Sequence, residues 1–319
     1  MNPLYLTEED VVATLTVRDA LRLVEDAGRA QADGKAENKP RQRVRTGGAV
    51  LQVLPAAYGE RLGHKSYLVP PKPRGPRFLY LLFAASGELL ALFEADALGQ
   101  IRTGAVAGLA TRVLAREDAR TLGVIGSGWQ AHTQVEAVCA VRPIERVRVY
   151  ARNAERLRAF CEEMTAKIGI PVEPAGSARE AVSGAGVVST ITNSSTPVLE
   201  GGWLDAGAHV NAAGSNRANA QEIDVETVAR ASVVAVEDLA QAQVESGDLI
   251  SAIESGRWSW DRAVLLSDLV AGKKPGRTSS DQITLFESLG IGLWDLAAAS
   301  HVYDACVAAG RGSRLPIPG

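Results

Sequence analysis

One short stretch constrains this chain more than any other: Leu122-Gly123-Val124-Ile125-Gly126-Ser127-Gly128-Trp129-Gln130-Ala131. An apolar β-like run feeds directly into a glycine turn, and a helical pattern starting near Trp129 follows. That is the strand–turn–helix setting in which a G-x-G-x-x-G/A pattern holds a dinucleotide. Gly126 permits the tight turn, Gly128 leaves room for a pyrophosphate, and Ala131 lets the helix lie close to the strand. The helix N-terminus then offers backbone N–H groups to the anion, with Ser127, Trp129 and Gln130 beside it. A nicotinamide-dependent oxidoreductase is the reading this favours.

The second strand of such a unit selects between cofactors. NAD sites usually end it with an acid that binds the ribose hydroxyls. Here Val149-Tyr150-Ala151-Arg152-Asn153 carries none. Arg152 can meet a 2′-phosphate and Asn153 can hydrogen-bond it, so NADP(H) is favoured, while the nearby Glu155 keeps NAD(H) open. Thr190, Thr192 and Asn193 follow the run Val187–Ile191. At the carboxyl end of a parallel strand they are placed to border the nicotinamide.

The surroundings of the turn set the fold class. From residue 121, the β-like runs Thr121–Ile125, Val147–Tyr150, Val187–Ile191, Ala208–Ala212 and Val233–Val236 alternate with helical stretches. That rhythm predicts a Rossmann-type doubly wound parallel sheet, an α/β fold. The N-terminal part reads differently. A helix is expected over 7–34, opened by Thr7 with Glu8, Glu9 and Asp10 in its first turn. Strands are expected at Val50–Leu54, Lys65–Val69, Phe78–Ala84 and Leu89–Phe93, the last two joined by a hairpin turn at Ala85–Glu88. Pro70–Pro76 reads as a rigid surface loop. Residues 98–115 form a long helix whose Gly104, Ala105, Ala107 and Gly108 allow close packing. A terminal helix over 289–309 returns to the first part. The expected division is therefore 1–115 plus 280–319 as a second, α+β domain, and 116–279 as the dinucleotide-binding domain.

Bulk properties narrow the function classes. The net charge is −3, with 46% hydrophobic and 22% charged residues, so the strongly basic balance of a nucleic-acid binder is missing. No apolar stretch is long enough to span a membrane, and the N-terminus does not read as a signal peptide. Cys139, Cys161 and Cys306 are odd in number and lack ligand spacing, so neither a disulfide framework nor a metal site is expected. This fits a reducing cytoplasm. The four histidines, His64, His132, His209 and His301, form no ligand-like pair, although His64 neighbours Lys65. Trp258 and Trp260 read as packing or surface aromatics.

Ile101-Arg102-Thr103-Gly104-Ala105-Val106-Ala107-Gly108, followed by the glycine turn, resembles the ornithine cyclodeaminase/mu-crystallin family. So do Leu62-Gly63-His64-Lys65, Gly207-Ala208-His209-Val210-Asn211-Ala212 and Asp281-Gln282-Ile283-Thr284-Leu285-Phe286. The resemblance covers nearly the whole chain. It implies a homodimer in which the α+β domain binds substrate and forms the dimer. It also implies hydride transfer at the C–N bond of a small amino or imino acid. On this resemblance Arg102 binds the substrate carboxylate, Lys65 binds it or handles a proton, and Thr103 joins the cofactor residues. Arg43 is the further carboxylate arginine, with Arg41 competing. Asn216 stands where cyclodeaminases and alanine dehydrogenases of the family carry an Asp. An amide cannot serve as a useful base, so ketimine or pyrroline-carboxylate reduction is favoured. Ornithine cyclodeamination, amino-acid dehydrogenation and a non-catalytic NADPH-binding role remain open, as does a loop register in which Asp224 fills the acid's place.

Overall fold

The computed structural model describes residues 2–70, 75 and 77–317. The expected loop at Pro70–Pro76 thus lies largely outside the described residues. The chain divides into two units, Met1–Thr103 with Ile291–Gly319, and Gly104–Gly290.

The first unit begins with β1 (Leu4–Leu6), α1 (Glu8–Thr14) and α2 (Val17–Ala32). The single helix expected over 7–34 is therefore two. Thr7 and Thr16 each open a helix with a capping box: the threonine side chain accepts from Asp10 N or Asp19 N, and that aspartate accepts from the threonine N–H. Thr-x-x-Asp occurs twice in sequence, and the second box holds Thr16 in extended backbone, which ends α1 and starts α2.

There follow β2 (Ala36–Asn38), β3 (Gln42–Thr46), β4 (Ala49–Tyr58), β5 (Arg61–Val69), β6 (Phe78–Ala84) and β7 (Leu89–Glu94), then the start of α3 (Asp96–Leu114). β4 to β7 form an antiparallel meander, β2 and β3 both pair with β4, and β1 lies parallel to β7. Because the side-chain period of a strand is two, register decides which residues share a face. Gln52, Leu54, Lys65, Tyr67, Tyr80, Leu82, Ala91 and Phe93 all point to one face and are buried. His64 falls on the opposite face from Lys65, so it does not line the same site. On that opposite face Leu51, Leu62, Leu68 and Leu79 remain exposed.

The second unit contains the rest of α3, then β8 (Thr121–Ile125), α4 (Ala131–Val141), β9 (Arg146–Tyr150), α5 (Ala154–Ile168), β10 (Val172–Pro174), α6 (Ala178–Val182), β11 (Val187–Thr190) and β12 (His209–Ala212). It continues with α7 (Val225–Arg230), β13 (Ala231–Val236), α8 (Leu239–Glu245), α9 (Gly247–Glu254), β14 (Ala263–Leu265), α10 (Leu266–Val270) and β15 (Ile283–Glu287). The eight strands β8 to β15 form one parallel sheet in the order β10-β9-β8-β11-β12-β15-β13-β14. β11, β12 and β15 are buried along their whole length, as strands covered on both faces must be. β10, β14 and β15 were not among the expected strands. The first two are three residues long, too short to show a period. β15 pairs with β12 and β13, so the later seam falls after Gly290 rather than near 280, and the earlier one lies inside α3 rather than at 115.

Two of the family-like segments turn out to support this unit's frame. His209 hydrogen-bonds Thr284 Oγ1 and Asn211 Oδ1, and Asn211 donates to Thr111 Oγ1 near the end of α3. Burial pushes the His209 imidazole down to about 3, so it is neutral and structural. Arg142 donates to the carbonyls of Arg112, Ala115 and Arg116, and Arg277 to that of Leu114, satisfying the open C-terminus of α3.

The chain ends with α11 (Gly292–Ala309) and β16 (Ser313–Arg314), which pairs with β1. α11 packs onto the first unit, as expected for the terminal helix. A Cβ at Gly292 would stand 2.6 Å from the Leu54 carbonyl oxygen, so glycine is needed for the helix to start against β4.

Candidate functional site

The strand order of the second unit reverses on either side of β8 and β11, and ligands of open α/β sheets bind beyond the carboxyl ends of strands at such a point. Gly126 leaves β8 with φ +115°, and a Cβ there would overlap the Ile191 carbonyl oxygen beyond β11. Only glycine meets both demands. Gly128 has nothing within 4 Å of its Cβ position, which makes it an open cradle. α4 starts at Ala131 rather than Trp129, because residues 128–130 make a turn closed by Ala131 N–H to Gly128 O at 3.0 Å. Ala131 is fully buried, as close helix–strand packing requires. The N-cap, Gln130, makes no side-chain cap, the arrangement that leaves a helix N-terminus to an anion. Ser127 is half-buried, and Trp129 is 61% exposed beside the turn. These residues fit a dinucleotide pyrophosphate.

At the end of β9, Arg152 is exposed. Asn153 is the N-cap of α5: its Oδ1 accepts from Arg156 N at 2.9 Å, so only its amide N–H groups remain for a phosphate. Glu155 lies in the first turn of that helix and is exposed.

The residues beyond β11 converge on an acid that sequence reasoning missed. Thr190 Oγ1 donates to Glu222 at 3.1 Å, Thr192 donates through both N and Oγ1 at 2.6 Å, and Gly214 N donates as well. The hydroxyls of Thr190 and Thr192 are thus committed to Glu222, while Asn193 is exposed. Burial lifts the Glu222 pKa despite these donors. A Cβ at Gly214 would overlap the Thr192 backbone, so glycine lets the two loops meet. Asn216 is half-buried in the loop after Gly214. Asp224 accepts from Thr227 N, Thr227 Oγ1 and Gly201 N as the N-cap of α7, so its carboxylate is already engaged in structure.

The first unit holds a buried ionic cluster. Lys65 on β5 and Arg102 on α3 are 4% and 6% exposed, and Asp295 on α11 is fully buried. Lys65 Nζ donates to Asp295 Oδ1 at 3.1 Å and lies 3.0 Å from Oδ2, and Arg102 Nε donates to Oδ1 at 2.8 Å. Lys65 Nζ also sits 5.8 Å from the centre of the Phe78 ring. Burial and the neighbouring Arg102 charge push the Lys65 amine down to about 7, against the pull of Asp295. For Asp295, burial acts upward but the charges of Arg102 and Lys65 outweigh it, and its carboxyl lies below the ordinary value. Arg102 Nη1 is buried and has no hydrogen-bond partner among the described residues. Thr103 donates to Gly99 O at 2.7 Å, so its hydroxyl is held within the helix.

Of the two competing arginines, Arg41 is the buried one. Its Nη1 reaches Tyr67 Oη at 3.3 Å and Gln52 Oε1 at 3.5 Å. Arg43 pairs opposite Gln52 on β3, which puts it on the same sheet face as Lys65, but it is only half-buried. Asp295 was missed in sequence, yet it stands as an acid in an almost wholly apolar helix, Gly292-Leu-Trp-Asp-Leu-Ala-Ala-Ala. A buried acid in that setting must be paired. No group of metal-binding side chains occurs among the described residues, and no helix there is long and apolar enough to cross a membrane.

A parallel sheet with this glycine turn, and a second sheet unit carrying a buried Lys–Arg–Asp cluster, define a dinucleotide-dependent α/β enzyme. The chain belongs to the ornithine cyclodeaminase/mu-crystallin family, whose model matches residues 1–310. It is 42% identical over 231 residues to a Delta(1)-pyrroline-2-carboxylate reductase of Bacillus cereus, covering 72% of this chain and 71% of the other. The structure of Thermococcus litoralis Delta(1)-pyrroline-2-carboxylate reductase in complex with NADH and L-proline superposes with a TM-score of 0.93 at 32% identity, covering 98% and 100%. An archaeal alanine dehydrogenase dimer with bound NAD does so with a TM-score of 0.93 at 31% identity, covering 99% and 100%. The chain is an NAD(P)-dependent enzyme of this family.

Proposed function

We propose that this protein reduces small imino acids, Δ1-pyrroline-2-carboxylate foremost, with a reduced nicotinamide dinucleotide. The observation that carries this reading is the buried Lys65–Arg102 pair, in which one guanidinium nitrogen has no hydrogen-bond partner among the described residues and the amine titrates near neutrality. The similarity to pyrroline-2-carboxylate reductases supports it.

In this reading, Arg102 grips the substrate carboxylate through its Nη1 edge, since Asp295 already holds Nε. Arg41, with Arg43 on the same face, supplies further positive charge toward that carboxylate. When bound, the reduced cofactor supplies a hydride to the imine carbon. Lys65, as the ammonium, gives the proton that the nitrogen needs, and a pKa near the working pH suits that task. Asn216 supplies hydrogen bonds but no base, which accords with a substrate that arrives already oxidised. The second unit binds the cofactor and the first binds substrate. Purified protein mixed with Δ1-pyrroline-2-carboxylate is expected to oxidise NADPH or NADH. Failure to oxidise either across a range of pH overturns the proposal, and proline formed from ornithine with no net cofactor change replaces it with cyclodeamination.

Arg152 sets a preference for NADPH. Arg152→Ala is expected to raise the KM for NADPH by about 10- to 100-fold, the range for losing a charge-assisted hydrogen bond to phosphate. The KM for NADH should stay within about twofold. Equal effects on both cofactors rule out this role for Arg152.

The protein acts as a homodimer joined through the outer sheet face of the first unit. Leu51, Leu62, Leu68 and Leu79 are 41–49% exposed there on adjacent strands. Contiguous exposed apolar residues mark an association surface, and the similar archaeal alanine dehydrogenase is a dimer. The double variant Leu62→Glu/Leu68→Glu is expected to run as a monomer in light scattering. A wild-type monomer, or a variant that stays dimeric, overturns this.

A further inference from the structure

We propose that Asp295 is a positioning residue for the reaction: through one carboxylate it fixes the orientation of both Arg102 and Lys65. This rests on the reading that these two residues meet the substrate. The geometry behind it is specific. Asp295 Oδ1 receives both Arg102 Nε and Lys65 Nζ, and Oδ2 lies 3.0 Å from the amine. A guanidinium held at Nε cannot rotate, so the orphaned Nη1 is presented in one direction. An ammonium held on its Asp295 side is left with its remaining N–H groups for the substrate. Asp295 is fully buried in the first turn of α11, on a helix seated tightly by the glycine contact at Leu54. The carboxylate therefore has no alternative partner in water.

The groups that face Lys65 come from each packed element. Arg102 on α3 and Arg41 before β3 oppose its charge, and Asp295 on α11 favours it. Tyr80 on β6 is directly opposite Lys65 in register. Its hydroxyl is fully buried and remains neutral, held far above its ordinary value by burial and by Asp295. Asp295 is therefore the acid through which the Lys65 proton is retained.

The experiment compares Asp295→Asn with wild type in two ways. Lys65 is titrated directly, from the pH dependence of its labelling by an amine-reactive reagent read by mass spectrometry. Steady-state kinetics with Δ1-pyrroline-2-carboxylate are measured over the same pH range. Removing the negative charge is expected to lower the Lys65 midpoint by about one to two pH units. The basic limb of the kcat profile should move down with it, and the substrate KM should rise about tenfold or more as Arg102 loses its anchor. An unmoved labelling midpoint overturns the proposal, whether or not the enzyme turns over this substrate. Wild type that binds cofactor but never reduces the imine counts against the functional reading alone, because the labelling titration still decides the role of Asp295. Where Asp295→Asn does not fold, Asp295→Glu serves. It keeps the charge and displaces it by one methylene, so the midpoint should hold while the KM rises. An unchanged KM in Asp295→Glu overturns the positioning role.

Discussion

Replacing Arg102 with methionine is expected to reduce kcat/KM for Δ1-pyrroline-2-carboxylate by about 10²- to 10³-fold, while the Kd for NADPH changes by less than about threefold. The loss combines two effects. The substrate carboxylate loses a guanidinium edge, and Asp295 loses the Arg102 Nε–H and keeps Lys65 as a partner. Truncating one member of a buried, hydrogen-bonded charge pair costs about 2–5 kcal/mol. The pH dependence gives a second check with a definite sign. Arg102 is one of the charges that hold the Lys65 amine down near 7. Without it the amine titrates higher, so the protonated form persists to higher pH and the basic limb of the kcat profile moves up. Asp295→Asn is expected to move it the opposite way. Opposite displacements from the two ends of one ionic cluster are hard to obtain from general destabilisation. A pH profile that does not move in Arg102→Met removes Lys65 as the proton donor.

The second large effect is expected at the glycine turn, where two neighbouring glycines should behave differently. Gly126→Ala places a Cβ onto the Ile191 carbonyl oxygen at a φ that side chains rarely adopt. Such a position costs about 1–3 kcal/mol from the backbone alone, and the melting temperature should fall by about 5–10 °C. Cofactor binding is lost with it, because β8 and the loop after β11 must separate. Gly128→Ala meets nothing within 4 Å in the protein. Its melting temperature should match wild type without cofactor, while calorimetry should show nucleotide affinity down by about 100-fold, since the new methyl fills the space a pyrophosphate needs. If Gly128→Ala binds NADPH and NADH normally, the turn is structural and the cofactor reading fails.

Much of this was legible in the sequence, for reasons that differ by element. The glycine turn was readable because strand, turn and helix are local and each small residue has a steric cause. Parallel strands set between helical patterns were readable, as at β8 and β11, although the five-residue β15 was missed. The three-residue strands were not, since pairing rather than period creates them. The break between α1 and α2 was present as a second Thr-x-x-Asp box, but the continuous helical pattern across it concealed the stop. At the site, Lys65 and Arg102 were named from resemblance alone, because a lone basic residue carries no sign of burial.

The sequence by itself determined that a dinucleotide turn exists, that Arg152 rather than an acid follows the second strand, and that an amide stands at position 216. Those are matters of residue identity at short range. Tertiary structure alone decided that Lys65 and Arg102 meet, because their shared partner Asp295 lies 230 and 193 residues away along the chain. It also decided that Arg41 is buried while Arg43 is not fully so, and that the Thr190 and Thr192 hydroxyls donate to Glu222. Such facts follow from register and from the desolvation of charges brought together by distant segments, and neither is encoded in any local window.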